Sequence, residues 1–194
     1  MSKILIIGSG GHAKVCIDLL EESSQFEIVG IVSPDSHKEF CSYPILGDDK
    51  DLKNLKQNFN HALIGIGQIK NPNSRISAFN LLKENGFNLP TIISESSFIS
   101  SHSELGEGVV VLRNCIVNRD TKIGSNTIIN NMALIEHDVT IGNNCHVSTG
   151  ALVNGGVEIG NNCFIGSGSV IRQGIKIKDD SFIQANSFIQ TDLI

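Results

Sequence analysis

The sequence predicts a small α/β domain over residues 1–90, followed by a parallel β-solenoid over residues 91–194. From Ile93 to Ile189 an aliphatic residue returns at every sixth position. A strict short period is typical of a solenoid, in which each repeat buries its apolar face against the next. Before residue 91, apolar runs alternate with segments of helical spacing, which indicates a small parallel sheet with helices.

In the N-terminal part, the apolar run 3–7, the glycine loop 8–12 and the amphipathic stretch 13–22 predict a strand, a loop and a helix. The remaining predicted elements are strands at 26–32 and 61–66 and helices at 48–57 and 73–85. This is too little chain for a six-stranded dinucleotide domain. We therefore expect a half-Rossmann domain with half of a nucleotide site.

The glycine loop is the candidate nucleotide site. Gly8-x-Gly10-x-x-Ala13 matches the loose dinucleotide fingerprint, in which backbone N–H groups and a helix N-terminus approach a phosphate. The alternative is a tight turn without a ligand, in which His12 bonds its own loop instead of a phosphate or sugar. Asp35 ends the second strand and is placed for a ribose or base contact, and Gly67 follows the third strand. The expected substrate-binding residues are Gly8, Ser9, Gly10, Gly11, His12, Asp35 and Gly67.

Each hexapeptide of the solenoid combines one short strand with one corner. Small or aliphatic residues lie two positions before the periodic residues, as alternate inward positions of a strand require. Gly, Asn or Asp usually lies three positions after them, and these types tolerate the positive φ of tight turns. Ile/Leu-Gly steps recur eighteen residues apart, at Leu105, Ile123, Ile141 and Ile159. Three hexapeptides therefore form one triangular coil.

The residues just before the periodic positions point outward and fall into three columns. One column is wholly polar, and the other two are largely apolar. Extended apolar surface is rarely left exposed, so we expect neighbouring chains or the first domain to cover these two faces. The stacked triangular coils form a prism, and a prism that is covered on two adjacent sides is consistent with a closed cyclic trimer.

Bulk composition excludes several classes of function. A net charge of −5 without a basic cluster argues against a nucleic-acid partner. No apolar segment is long enough to insert into a membrane and no signal-peptide pattern is present, so we expect a cytoplasmic protein. The five cysteines include no CxxC pair and no metal-ligand spacing, which argues against a metal site, and their odd number argues against a disulfide framework.

One corner carries the candidate chemistry. Glu136-His137-Asp138 lies directly below Gly155-Gly156 of the next coil. An outward histidine, flanking carboxylates and a stacked backbone supply a general base, an orienting acid and amides for an oxyanion. The alternative is a solvated corner histidine. His146 interrupts one of the apolar columns, which places a titratable ring in the expected seam between chains.

Four motifs together resemble a known family. They are the stretch from Gly8 to Val15, the step from Tyr43 to Gly47, Ile135-Glu136-His137-Asp138, and the stretch from His146 to Ala151. The chain resembles the hexapeptide-repeat acetyltransferases that have a small N-terminal nucleotide-binding domain. It is similar to the sialic-acid O-acetyltransferases and the UDP-4-amino-sugar N-acetyltransferases of bacterial glycan synthesis.

The resemblance implies a left-handed β-helix, a homotrimer, no metal, and acetyl-CoA bound between subunits. His137 then corresponds to the catalytic base, and Asp138, or less favourably Glu136, to the carboxylate that orients it. The expected coenzyme contacts are His146 of the adjacent chain, Gly155, Gly156, Phe164 and Ser167. The glycine loop would take the nucleotide diphosphate.

The expected function is acetyl-CoA-dependent N-acetylation of a nucleotide-linked amino sugar, by direct transfer with a histidine base. A sialic (nonulosonic) acid O-acetyltransferase shares every motif above. A non-catalytic β-helix that binds a nucleotide sugar is a further alternative, and a dehydrogenase is favoured only by the glycine loop.

Overall fold

The computed structural model describes residues 1–23 and 25–194. The chain divides into two compact units, Met1–Gly67 with Asn73–Pro90, and Gln68–Pro72 with Thr91–Ile194. Gln68–Pro72 thus packs with the second unit, although the sequence pattern gives no sign of this. No helix in the described part of the chain has the length and apolar character needed to span a membrane.

The first unit is built on a five-stranded sheet. Its strands are β1 (Ser2–Ile7), β2 (Phe26–Val32), β3 (Glu39–Phe40), β4 (Tyr43–Gly47) and β5 (His61–Ile64). The strand order is β3-β4-β2-β1-β5, with only the β3–β4 pair antiparallel. The helices are α1 (Gly11–Glu22), α2 (Leu52–Leu55) and α3 (Asn73–Glu84), and a 3-10 turn, Asp49–Asp51, precedes α2. The parallel α/β character predicted from the sequence is confirmed.

Two local predictions for the first unit need correction. The charged stretch 48–57 forms only the 3-10 turn and the single turn α2, because Leu52 is its one buried side chain. The hairpin of β3 and β4 was not predicted, because Pro44 argues against a strand and because its turn residues, Cys41 and Ser42, adopt a positive φ without being the Gly, Asn or Asp that usually signals such a turn.

The second unit is a left-handed parallel β-helix with three sheets. The polar face consists of β8 (Glu104–Leu105), β11 (Lys122–Ile123), β14 (Thr140–Ile141), β17 (Glu158–Ile159) and β20 (Lys176–Ile177). The first apolar face consists of β7 (Phe98–Ile99), β10 (Ile116–Val117), β13 (Leu134–Ile135), β16 (Leu152–Val153), β19 (Val170–Ile171) and β22 (Phe188–Ile189). The second apolar face consists of β6 (Ile92–Ile93), β9 (Val110–Val111), β12 (Ile128–Ile129), β15 (His146–Val147), β18 (Phe164–Ile165) and β21 (Phe182–Ile183).

Every strand pair in the β-helix is parallel and joins residues eighteen positions apart, as the sequence period predicts. Ile135, for example, pairs with Val117 on one side and Val153 on the other. The periodic aliphatic side chains and the small residues two positions earlier form one continuous buried core. Cys145 and Cys163 belong to this core as free thiols.

The two apolar faces differ in exposure. On the first apolar face Phe98, Ile116 and Phe188 are exposed by 60%, 43% and 59%. On the second, Val110 and Ile128 are fully buried, but Phe182 near its C-terminal end is 51% exposed. Most of the apolar surface in need of a partner therefore lies on the first apolar face.

Candidate active site

His137 occupies a corner of the β-helix that directs its ring outward. Strand β13 ends at Ile135, and the chain turns through His137 and Asp138, the latter with a φ of 60°. Asp138 is one of the residue types that tolerate this conformation. The His137 side chain is 57% exposed, and its Nδ1 lies 2.7 Å from Oδ2 of Asp138.

The contact with Asp138 sets the protonation of the ring. Because a carboxylate only accepts, Nδ1 carries the proton and donates to Asp138, which leaves the Nε2 lone pair free in the neutral ring. This hydrogen bond is the main cause of a raised pKa of His137, and the charges of Asp138 and Glu136 add to it. The ring is therefore a stronger base than a free histidine.

The two candidate carboxylates have different roles in the geometry. The carboxylate of Glu136 accepts a hydrogen bond of 2.9 Å from the amide of Asn118, one coil below. It raises the pKa of His137 through its charge, whereas Asp138 makes the direct contact. The structure thus places Asp138, rather than Glu136, in the position that orients the imidazole.

Gly155 lies directly over the imidazole, in the next coil. A Cβ added to Gly155 would lie 2.7 Å from Cε1 and 2.8 Å from Nε2 of His137, closer than real contacts allow. The Gly156 amide donates to the His137 carbonyl at 2.9 Å, which fixes the stacking of the two corners. Gly155 and Gly156 therefore lie next to the imidazole, and a larger residue at Gly155 would displace the ring.

Among the described residues, the amide of Gly155 has no hydrogen-bond acceptor, unlike the corresponding amides along another edge of the β-helix. There the amides of Ser125, Asn143 and Asn161 each donate to a side-chain oxygen one coil above, at 2.8, 2.9 and 2.7 Å. Within the described part of the chain, the Gly155 amide donates to no acceptor. An unpaired N–H beside a base is a suitable donor to a developing oxyanion.

A groove begins at this corner and runs along the polar face. Its volume is about 420 Å³, and Asp138, Thr140, Gly156, Glu158 and Lys176 contribute to its lining. Lys176 and Glu158 form an exposed ion pair of 3.0 Å in its wall. The groove offers an open channel of mixed polar and apolar lining next to His137.

His146 lies on the second apolar face and is only 7% exposed. Its Nδ1 donates to the Gln68 carbonyl at 2.6 Å, and its other nitrogen lies 3.0 Å from the Asn130 amide. The sequence pattern predicts an open ring in a seam, but Gln68 covers it within one chain. Its contact with a coenzyme stays a prediction and requires one of these partners to move.

The other two predicted coenzyme residues share the side of the β-helix that carries His146. The Phe164 ring lies edge-on to His146 at 5.3 Å and stacks on Phe182 at 5.1 Å. Ser167 is exposed, with its hydroxyl 2.8 Å from that of Ser148. Within one chain, the structure does not bring His146, Phe164 and Ser167 to His137.

The glycine loop of the first unit has the backbone that an anion site requires. Gly8 has a φ of 100°, a conformation that favours glycine. Helix α1 follows with Gly10 as its N-cap, without a side-chain cap or an acidic residue in the first turn. Its first amides are therefore open to a negatively charged group.

The predicted residues around the glycine loop do come together. The Ser9 hydroxyl donates to Asp35 and lies 2.7 Å from the Ser33 hydroxyl. A Cβ on Gly67 would lie 3.3 Å from that of His12, so these two residues adjoin. His12 is half-buried, with Nε2 at 3.5 Å from the Cys16 sulfur.

A second cavity adjoins Asp35. It measures about 260 Å³, and Lys14, Asp35, His37, Glu39 and Phe40 are among the residues that line it. Sequence reasoning missed it, because its wall is the unpredicted hairpin of β3 and β4. The cavity therefore adjoins the residues predicted to bind the nucleotide.

Within residues 1–23 and 25–194, no three His, Cys, Asp or Glu side chains lie close enough together to bind a metal ion.

Comparison with known families supports the sequence resemblance. Residues 3–80 match the PglD N-terminal domain. Residues 120–155 and 156–191 match the bacterial transferase hexapeptide repeats. A search of curated protein sequences finds no significant match.

Three solved structures share the fold over almost the whole chain. A mutant of perosamine N-acetyltransferase from Caulobacter crescentus, in complex with CoA and GDP-perosamine, is 31% identical; the match covers 100% of this chain and 90% of that one, with a TM-score of 0.93. The acetyltransferase domain of PglB from Neisseria gonorrhoeae, in complex with acetyl coenzyme A, is 25% identical, with coverages of 98% and 92% and a TM-score of 0.92. WeeI from Acinetobacter baumannii shares the fold, with 21% identity, coverages of 97% and 96%, and a TM-score of 0.71.

A left-handed β-helix with a carboxylate-bound histidine at one corner defines the class as hexapeptide-repeat acyltransferases. With the N-terminal match and the related structures, the chain belongs to the sugar acetyltransferases of this class that carry a PglD N-terminal domain.

Proposed function

We propose that this protein transfers the acetyl group of acetyl-CoA to the amino group of a nucleotide-linked amino sugar. The observation that carries the proposal is the pairing of His137 with Asp138 beneath the free amide of Gly155. The related perosamine N-acetyltransferase binds CoA and GDP-perosamine, and the related PglB domain binds acetyl coenzyme A. These ligands support acetyl-CoA as the donor and a nucleotide sugar as the acceptor.

The reaction needs one general base and one hydrogen-bond donor to the oxyanion. As the sugar nitrogen attacks the thioester carbon, Nε2 of His137 takes its proton while Asp138 stabilises the imidazolium. The Gly155 amide donates to the carbonyl oxygen, which becomes negative in the tetrahedral intermediate. The intermediate then expels the CoA thiolate, which receives the proton from His137, so the transfer is direct.

We assign the acceptor's nucleotide to the first unit. The open N-terminus of α1 and the loop Gly8–His12 suit the diphosphate, because both present backbone N–H groups to an anion. Asp35 and Gly67 flank this position. The adjoining cavity would take the nucleoside.

The proposal includes a trimer that works in the cytoplasm. The exposed first apolar face is the surface that neighbouring chains would cover. Each site would then combine His137 of one chain with His146, Phe164 and Ser167 of the next, since these do not meet within one chain. A solution mass of three chains is expected, and a single-chain mass would contradict this part of the proposal.

Release of the CoA thiol tests the function. The protein is assayed with acetyl-CoA against UDP-, GDP- and dTDP-linked 4-amino sugars and free sialic acids. Release with at least one nucleotide-linked amino sugar, at a rate that rises with pH as the ammonium loses its proton, is the expected result. Release only with sialic acids would favour O-acetylation, and no release with any acceptor would favour a non-catalytic β-helix.

Replacement of Asp138 by Asn should shift the pH dependence. Asp138 raises the pKa of His137, so the neutral amide lowers it, and the basic form of the ring then persists to lower pH. The limb of the kcat/KM profile that belongs to His137, as distinct from the limb that belongs to the acceptor ammonium, should move to lower pH. The plateau should fall by about tenfold or more, because the imidazolium loses its partner and the ring its fixed tautomer.

Asp120 provides the matched control for this profile. It is an exposed acid at the same corner one coil below, paired with Arg119 at 3.3 Å. Asp120→Asn should leave both the limb and the plateau in place. An unshifted limb in Asp138→Asn would mean that the carboxylate does not act on the catalytic base.

A further inference from the structure

Arg75 is a charged side chain buried completely in the first unit. It lies in α3 with an exposed fraction of 0%, and burial lowers the pKa of its guanidinium to about 10. Transfer of a charge out of water is unfavourable unless the group makes specific contacts. What those contacts hold in place indicates the role of the residue.

The guanidinium holds the turn that follows β5. Its Nη1 donates to the carbonyls of Ile64 and Ile66, at 2.9 and 2.8 Å. These two carbonyls flank Gly65, so the turn Gly65–Gly67 is fixed from one side by two charge-assisted hydrogen bonds.

The other side of the turn lies against the glycine loop. A Cβ on Gly65 would lie 2.8 Å from that of Ala13, and a Cβ on Gly8 would lie 2.9 Å from the Ile66 side chain. A Cβ on Gly67 would lie 3.3 Å from the Cβ of His12. With no free space between turn and loop, a displaced turn displaces the loop and the first turn of α1.

We infer that Arg75 is a positioning residue for the nucleotide part of the substrate, acting through the turn Gly65–Gly67 on the glycine loop. The inference rests on the proposed function, in which this loop binds the nucleotide diphosphate. Arg75 lies beneath the turn and needs no contact with the ligand. Its loss should therefore weaken nucleotide binding while the acetyl-CoA site keeps its affinity.

Calorimetry on the full chain tests this with three probes: GDP, UDP and acetyl-CoA. Arg75→Met removes the donors and keeps an unbranched chain. We expect the Kd of whichever nucleotide the wild type binds more tightly to rise by about tenfold or more, because small displacements of binding groups have effects of this size. The Kd of acetyl-CoA should stay within about twofold, as sites without shared contacts vary independently.

Two further variants separate positioning from simple loss of folding. Leu82→Ala opens a cavity in the core of the same unit, seven residues further along α3 than Arg75, and removes no hydrogen bond to the turn. It should lower the binding stoichiometry or the Tm without changing the Kd for the nucleotide. Arg75→Lys keeps a charge with a shorter reach and should weaken nucleotide binding by about threefold. It also serves as the test if Arg75→Met does not fold.

The outcomes are distinct. Wild-type affinity for the nucleotide in Arg75→Met or, should that variant not fold, in Arg75→Lys would overturn the inference alone. An equal loss of affinity in Leu82→Ala would mean that Arg75 acts only by packing, and it would also overturn the inference. A wild-type protein that binds neither nucleotide would overturn the proposed nucleotide site, and the inference with it.

Discussion

His137→Ala is expected to lower kcat by about 10²–10⁴-fold, the usual contribution of a positioned general base. The side chain is 57% exposed and packs in no core, so the substitution should leave the β-helix folded. The measurement is thiol release at saturating acetyl-CoA and acceptor, with circular dichroism and solution mass as checks on folding and assembly.

His102→Ala is the control for this loss. His102 is an exposed turn histidine of the same unit, and its removal should leave kcat unchanged. Full activity in His137→Ala would remove His137 from the mechanism. A loss that is restored at high pH would instead indicate that the acceptor amine, once neutral, needs little help from a base.

Gly155→Ala is expected to lower kcat by about 10²-fold or more, although it adds a single methyl group. The new Cβ would lie within 2.8 Å of Nε2 of His137, so the imidazole has to move. Displacement of a reacting group by about 1 Å is enough for a loss of this size. The same methyl group also crowds the proposed oxyanion donor.

Gly150→Ala is the matched change at another corner. No atom lies within 4 Å of a Cβ at Gly150, and its φ of 65° makes the substitution mildly unfavourable for folding, by about 1–2 kcal/mol. It should lower the Tm slightly and leave kcat intact. If Gly155→Ala retained the wild-type rate, the ring would not need its present position, and the assignment of both residues would fail.

The β-helix is the part of the fold that the sequence predicts most completely. Its period fixes which side chains face the core and which residues stack, and Val117, Ile135 and Val153 pair as the spacing requires. The stacking of Gly155 over His137 follows from the same period, because the two residues are eighteen positions apart. A long-range contact is readable here because each coil repeats the geometry of the last.

Features without a period escape prediction. The cover that Gln68 places over His146 joins residues 78 positions apart, and no repeat relates them. Arg75 gives no sequence signal either, since a charged residue on a predicted helix is normally solvated, whereas in the folded chain it is buried under a turn. The hairpin of β3 and β4 was not predicted, because its turn residues, Cys41 and Ser42, are not of the types that usually signal a hairpin turn.

The eighteen-residue stacking of His137 and Gly155 has a consequence for how such chains can change in length. An entire coil gained or lost elsewhere keeps the register between these two corners, whereas a single inserted residue between them rotates one away from the other. Tolerance of insertions in multiples of the full coil should therefore be high outside the segment 137–155 and absent inside it.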